Sequence, residues 1–287
     1  MCVRTILARA VVAAFALAVM TAPACGGGGS HSTPTTPTAP TAPSNPTTPV
    51  PGNACGAVVG FFTTPETIVN GTDCVAQAAS SSVLWLQVLV GAGKLDHYCS
   101  GTVIDDTWVL TAAHCLHADA ADISGVRVDL GSGPFVFSTE FHASPAYSGT
   151  GGSSLDVGVV KFSQPLGRTP TPLLLSRDAA PGDQGVIAGY GQSATGSVGI
   201  LRAGYVTVSD ITSSYVVVTT TAPTASSICS GDSGGPLLIS QGGVWAVAGI
   251  ASSATAYCVN ATSYFARVKN SEIAAFILGY VPHAGQK

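Results

Sequence analysis

An all-β fold, barrel or sandwich, is predicted for the folded part of this sequence, and three observations carry the prediction. Beyond Cys55 the apolar residues come in short β-branched or alternating runs. Gly, Ser, Asp and Pro separate those runs, as turns between strands require. Only the C-terminal end shows the apolar spacing of a helix. Composition agrees: with 46% hydrophobic and 9% charged residues in 287, the chain can build a core and is too apolar to be disordered. Eleven Lys and Arg against 15 Asp and Glu leave a formal charge of -4, which argues against a phosphate-backbone binder, so no nucleic-acid partner is expected.

Residues 1–24 read as a signal peptide. Arg4 and Arg9 precede an apolar run from Ala10 to Met20, too short for a bilayer span of about 20 residues. Ala22 and Ala24 suit cleavage just before Cys25, in a context that resembles a bacterial lipobox. Two readings stay open: Cys25 carries a lipid that attaches the protein to a membrane, or the chain is simply secreted. Ala22 stands where such boxes usually carry leucine. Residues 25–54 form a linker, first glycines 26–29, then Ser, Thr, Ala and Pro with prolines at 34, 37, 40, 43, 46 and 49. That three-residue period matches polyproline II, an extended spacer. Residues 55–67 follow as a short segment before the folded domain.

In the folded part, runs at Val83 to Val90, Trp108 to Thr111, Val157 to Phe162, Gly185 to Gly189, Tyr215 to Thr221 and Val244 to Ile250 predict strands. Near the end, Ile273, Phe276, Ile277 and Tyr280 fall at i, i+3, i+4 and i+7, which predicts a helix over about 271–280 with Asn270 or Ser271 as N-cap. Eight cysteines stand at 2, 25, 55, 74, 99, 115, 229 and 258. Cys2 leaves with the signal, and a lipidated Cys25 would leave an even six for three disulfides in an oxidising compartment. No C-x-x-C or H-E-x-x-H occurs, so neither zinc nor another metal is expected; the close pair His114 and His117 is weak evidence for one.

Three motifs stand on this β background: Thr111-Ala112-Ala113-His114-Cys115, Leu155-Asp156-Val157-Gly158 and Gly231-Asp232-Ser233-Gly234-Gly235-Pro236. A serine hydroxyl is a poor nucleophile until an imidazole takes its proton, and the imidazole needs a carboxylate to fix its tautomer. Ser233, His114 and Asp156 supply those three groups. In their order and flanking residues the motifs resemble the chymotrypsin/trypsin-like serine protease family, from about Ile68 to the C-terminus.

The resemblance implies two six-stranded antiparallel β-barrels, about 68–165 and 166–268, with a C-terminal helix. It implies a serine endopeptidase with an oxyanion hole made by the N–H groups of Gly231 and Ser233, and polypeptide substrates. Ile68-Val69-Asn70-Gly71 looks like the family's mature N-terminus, whose new ammonium would pair with Asp232, so the chain is expected to be a zymogen cleaved before Ile68. Thr67, not Arg or Lys, precedes that bond. The specificity pocket would have Ser227 at its base, Ala254 and Ser263 in its walls and Ser252 beside the substrate backbone, with Ser253 in place of the usual tryptophan. A neutral, shallow pocket of this kind implies small or apolar P1 residues, Thr67 among them, and hence self-activation. Cys99 would pair with Cys115 and Cys229 with Cys258, which leaves Cys55 for Cys74. The enzyme is expected to need no cofactor, to be a monomer and to meet protein protease inhibitors as partners. Two competing readings are a noncatalytic binding protein on the same scaffold and an esterase using the same three groups.

Overall fold

The computed structural model describes residues 54–59, 71–117, 122–149, 155–193, 196–221, 225–255 and 258–287. The signal peptide, Cys25, nearly all of the linker, Thr67 and Ile68 lie outside the described residues. Among the described residues the first element is a short helix, α1 (Cys55–Val59), and the last is α2 (Ser271–Tyr280). Between them run β1 (Thr72–Asp73), β2 (Val83–Val90), β3 (Lys94–Val103), β4 (Trp108–Thr111), β5 (Ile123–Val128), β6 (Val136–Ala143) and β7 (Gly158–Phe162). The second half adds β8 (Gln184–Gly189), β9 (Arg202–Thr207), β10 (Asp210–Ile211), β11 (Tyr215–Thr219), β12 (Pro236–Gln241), β13 (Val244–Ala254) and β14 (Thr262–Arg267).

Strands β2-β3-β4-β7-β6-β5 close into a six-stranded antiparallel barrel. Its interior is filled by β-branched and aliphatic residues such as Leu84, Leu86, Val109, Val160 and Phe162, all essentially solvent-free. Closure removes free strand edges, which suits so apolar a set of strands. The second sheet has eight strands in the order β1-β9-β8-β12-β13-β14-β11-β10, not the six expected. The two extra strands are the two-residue ends β1 and β10, added where a neighbouring strand still has free backbone groups. This sheet wraps its own cluster of Ile187, Val216, Leu237 and Phe265. A larger cluster joins the two sheets, because Leu84 and Val160 of the barrel pack in one core with Val186, Leu238 and Val247 of the second sheet.

Helix α2 forms as its spacing predicts. The Asn270 side chain accepts from the N–H groups of Glu272 and Ile273, satisfying two donors that a helix start leaves free. Ile273 and Ile277 are buried in the joint core, and Tyr280 stays 40% exposed. No helix among the described residues is long and apolar enough to cross a membrane.

Candidate active site

Strand pairing brings the His and Asp motifs together. β4 and β7 are antiparallel neighbours with Thr111 opposite Gly158. His114 sits in the 3-10 turn that follows β4, and Asp156 sits two residues before β7, so both project from the same end of the barrel. Asp156 is 2% exposed and its carboxylate receives three bonds. The His114 N–H donates to Oδ1 at 2.9 Å, His114 Nδ1 lies 2.8 Å from Oδ2, and the Ser252 hydroxyl donates to Oδ2 at 2.6 Å. An ionised carboxylate only accepts, so this contact places a proton on Nδ1, and in the neutral imidazole the lone pair is then on Nε2. Burial alone would raise the Asp156 carboxyl; the hydrogen bond and charge of His114, with the Ser252 hydroxyl, more than offset it and hold it below the usual range.

Ser233 stands in the loop before β12. That loop is tied down on every side: the Ser100 N–H donates to Ser233 O at 2.8 Å, the Asp232 N–H to Cys229 O at 3.0 Å and the Gly234 N–H to Ala251 O at 2.8 Å. Gly231 has φ +94°, a conformation that L side chains rarely adopt, and a Cβ there would stand 3.0 Å from the Gly191 backbone. Asp232 is buried, with Oδ1 accepting from Gly191 N–H at 2.8 Å and Oδ2 from Cys229 N–H at 2.9 Å. Burial pushes its carboxyl up to about 6, although the two N–H groups and the charge of Arg202 work against the rise. The approach is tight enough that a Cβ on Gly191 would fall 2.5 Å from Asp232 Cγ.

A cavity of about 470 Å³ opens beside Ser233. Among the described residues Ile228, Cys229, Ser230, Ser252, Ser253, Ala254, Thr255 and Cys258 also line it, and none of these is charged. Ser252 therefore belongs both to the cavity and to the hydrogen bonds around Asp156. Ser227 and Ser263 are fully buried and are not among the lining residues. The Ser227 hydroxyl donates to Cys258 O. Ser263 pairs across the sheet with Ala254, and its hydroxyl has no hydrogen-bond partner among the described residues.

Three disulfides join Cys55 to Cys74, Cys99 to Cys115 and Cys229 to Cys258. The second sits beside His114, and the third holds two lining residues of the cavity together. Cys99 and Cys115 also converge with His114 as a metal site would, but sulfurs joined in a disulfide are not thiolate ligands.

Besides the cavity-lining Ile228, Ser230 and Thr255, two residues that hold the site together escape a reading of the sequence. Ser100 contacts the Ser233 loop from β3, and Arg202 of β9 lies 3% exposed beneath it, donating to Gly191 O, Ser197 O, the Ser197 hydroxyl and Asp73. Neither stands in a motif, and Gly231, the acceptor of the Ser100 hydroxyl, is 131 residues away along the chain.

The family described as Trypsin matches residues 68–277 of this chain. Among curated relatives, trypsin-1 of Salmo salar is 28% identical over 196 residues, which cover 62% of this chain and 78% of that protein. Anionic trypsin of Bos taurus is 30% identical over 202 residues, with 63% and 78% covered. Among solved structures, HL collagenase superposes with a TM-score of 0.62 at 25% identity, over 75% of this chain and 99% of that one.

Proposed function

The chain belongs to the trypsin family, and from that premise we propose that it is an exported serine endopeptidase with Ser233, His114 and Asp156 as nucleophile, base and orienting acid. The observation that carries the reading is Asp156, buried and bonded at once to both His114 nitrogens that face it and to Ser252 on the wall of the cavity that holds Ser233. In the first step Ser233 Oγ bonds to the scissile carbonyl carbon while its proton passes to His114 Nε2. The oxyanion is received by the N–H groups of Gly231 and Ser233. Collapse breaks the carbon–nitrogen bond, and the imidazolium returns the proton to the leaving amine. Water then repeats the sequence on the acyl-enzyme, giving the acid and free Ser233.

The uncharged cavity, with Ile228 and Ala254 in its lining, favours small or apolar P1 side chains over Arg or Lys. Thr67 fits that class, so the chain would cleave itself before Ile68, and the new ammonium would pair with Asp232. An ionised carboxylate buried without a cation in contact is costly, and such a pair would relieve it. The Cys55–Cys74 bridge spans that bond, so the leader stays attached. Residues 1–24 would direct export and Cys25 would carry the lipid.

The decisive experiment exposes purified protein to a fluorophosphonate and reads the mass of the adduct peptide and the N-terminus of the labelled chain. Label on Ser233 in chains beginning at Ile68, absent from His114→Ala, is expected. No label on chains with a free Ile68 would refute the peptidase reading. Maturation of Ser233→Ala at Ile68, expressed alone, would refute self-activation, and acyl labelling unchanged in Cys25→Ser would refute the lipid.

A further inference from the structure

We propose that Ser100 is a positioning residue for the oxyanion loop, an inference that rests on the reading of this site as a serine peptidase. Ser100 lies in β3 directly after Cys99 and is fully buried. Four hydrogen bonds converge on it. Its N–H donates to Ser233 O at 2.8 Å, and its hydroxyl donates to Gly231 O at 2.9 Å. The same hydroxyl accepts from the Tyr190 N–H at 2.9 Å, and the Ser100 carbonyl accepts from Thr111 Oγ1 at 2.9 Å.

These contacts fix the carbonyl groups of the two residues on either side of Asp232. Gly231 O and Ser233 O are both held from β3, which pins the peptide plane that follows each of the Gly231 and Ser233 N–H groups and so limits how far those groups can turn. The other end of the hydroxyl holds Tyr190, whose neighbour Gly191 donates to the Asp232 carboxylate. One side chain of the barrel thus fastens both loops of the second sheet that enclose Asp232. Thr111, three residues before His114, fixes Ser100 in turn, so the base and the oxyanion loop share one anchor.

Removal of the hydroxyl strands two backbone groups. Ser100→Ala leaves Gly231 O and the Tyr190 N–H without the one hydroxyl that both bonded, in a closely packed space: a Cβ on Gly189 would stand 3.1 Å from Ser100 Oγ, and one on Gly235 3.3 Å from Ser100 Cβ. Buried polar groups without partners are strongly disfavoured, and the relief available is rotation of the Gly231 peptide. Ser100 is not among the residues that line the P1 cavity, so ground-state binding of the side chain is untouched.

The test compares wild type, Ser100→Ala and Thr111→Val, all processed to Ile68, on a peptide amide substrate and on a peptidyl boronate that forms a tetrahedral adduct. Misplacement of a catalytic group by about 1 Å costs about 100-fold, so Ser100→Ala is expected to lower kcat by about 10- to 100-fold with KM within about twofold, and to weaken the boronate by the same factor as kcat. Thr111→Val, which removes the bond to Ser100 O while keeping the shape, is expected to change both quantities in the same direction and by less. Unchanged kcat and boronate affinity in Ser100→Ala would overturn the inference. So would an equal loss of kcat and of substrate affinity, the pattern of general loosening. If Ser100→Ala does not fold, Thr111→Val decides by the same two readouts. A wild type that neither cleaves nor takes fluorophosphonate label would overturn the peptidase reading and this inference with it, a result distinct from an active wild type matched by an active variant.

Discussion

Asp232 gives the uncleaved chain a pH-dependent stability whose size can be worked from its surroundings. Burial moves its carboxyl from 3.8 to about 6. The folded chain therefore holds this proton more tightly than the unfolded chain does. The group's contribution to stability is full below about pH 4 and is lost as pH rises through about 6. At about 1.36 kcal/mol per pKa unit, ionised Asp232 costs the fold about 3 kcal/mol at neutral pH, of which about 2–3 kcal/mol is lost between pH 4 and 7.5. Asp232→Asn removes the titration while keeping an oxygen for the Gly191 N–H. Both chains would carry Ser233→Ala, so that the bond before Ile68 stays intact, and both would be unfolded in urea from pH 4 to 7.5. Other titrating groups cancel in the difference between the two. With a urea m-value of about 2–3 kcal/mol per molar, the midpoint of the chain that keeps Asp232 should fall by about 1 M relative to the Asp232→Asn chain across that range. A difference independent of pH would refute the assignment of a raised, buried carboxyl at 232. Cleavage before Ile68 should flatten the same difference, because the arriving ammonium stabilises the ionised form.

Three further outcomes are expected. Asp156→Asn should lower kcat by about 10⁴, because an amide that keeps its oxygen on the His114 N–H turns its NH2 toward Nδ1 and drives the imidazole proton to Nε2; steady-state kinetics with an amide substrate checks it. Cleaved protein should run as one species on a nonreducing gel and as two after reduction, since Cys55–Cys74 joins the pieces, and release without reductant would refute the bridge. Ile228→Ala, which deepens the cavity beside Ser233, should shift P1 preference toward larger apolar side chains by about 10-fold or more in relative kcat/KM, read from a P1 peptide library.

The parts of the fold that were legible in the sequence are those with a local signal. β2 spans the run Val83–Val90, apolar but for Gln87, and β4 the run Trp108–Thr111, because strands buried on both faces read as nearly continuous apolar stretches. α2 and its Asn270 cap follow from spacing and from one side chain. By contrast β1 and β10 have two residues each and no pattern of their own; they exist because β9 and β11 offer backbone partners. β13 runs on to Ala254, beyond the apolar run that ends at Ile250, since its later residues pair with β14 across a bulge near Ala251 and Ser253. The same division holds at the site. His114, Asp156 and Ser233 stand in recognisable strings, whereas Ser100, Ile228 and Arg202 acquire their roles from contacts that no string encodes.

Arg202 shows how a chain with few charges uses one of them. Its guanidinium is almost solvent-free, and a charge so placed is costly unless its donors are filled. They are filled by four acceptors: Asp73, Gly191 O, Ser197 O and the Ser197 hydroxyl. Asp73 lies in β1, opposite Arg202 in the register and next to Cys74, whose N–H donates to Leu201 O and whose sulfur joins Cys55. On the leader side of that bridge Ala54, Cys55 and Val58 are buried in the joint core, and the Ser82 N–H donates to Val58 O. α1 is thus built into the domain by packing, a backbone hydrogen bond and a disulfide, all of which lie away from the Thr67–Ile68 bond in the chain. Cutting that bond removes none of them. Segment 54–59 would therefore stay with the domain if that bond were cut, and on the domain side of the bridge Asp73 is linked through Arg202 to Gly191, the residue whose N–H holds Asp232.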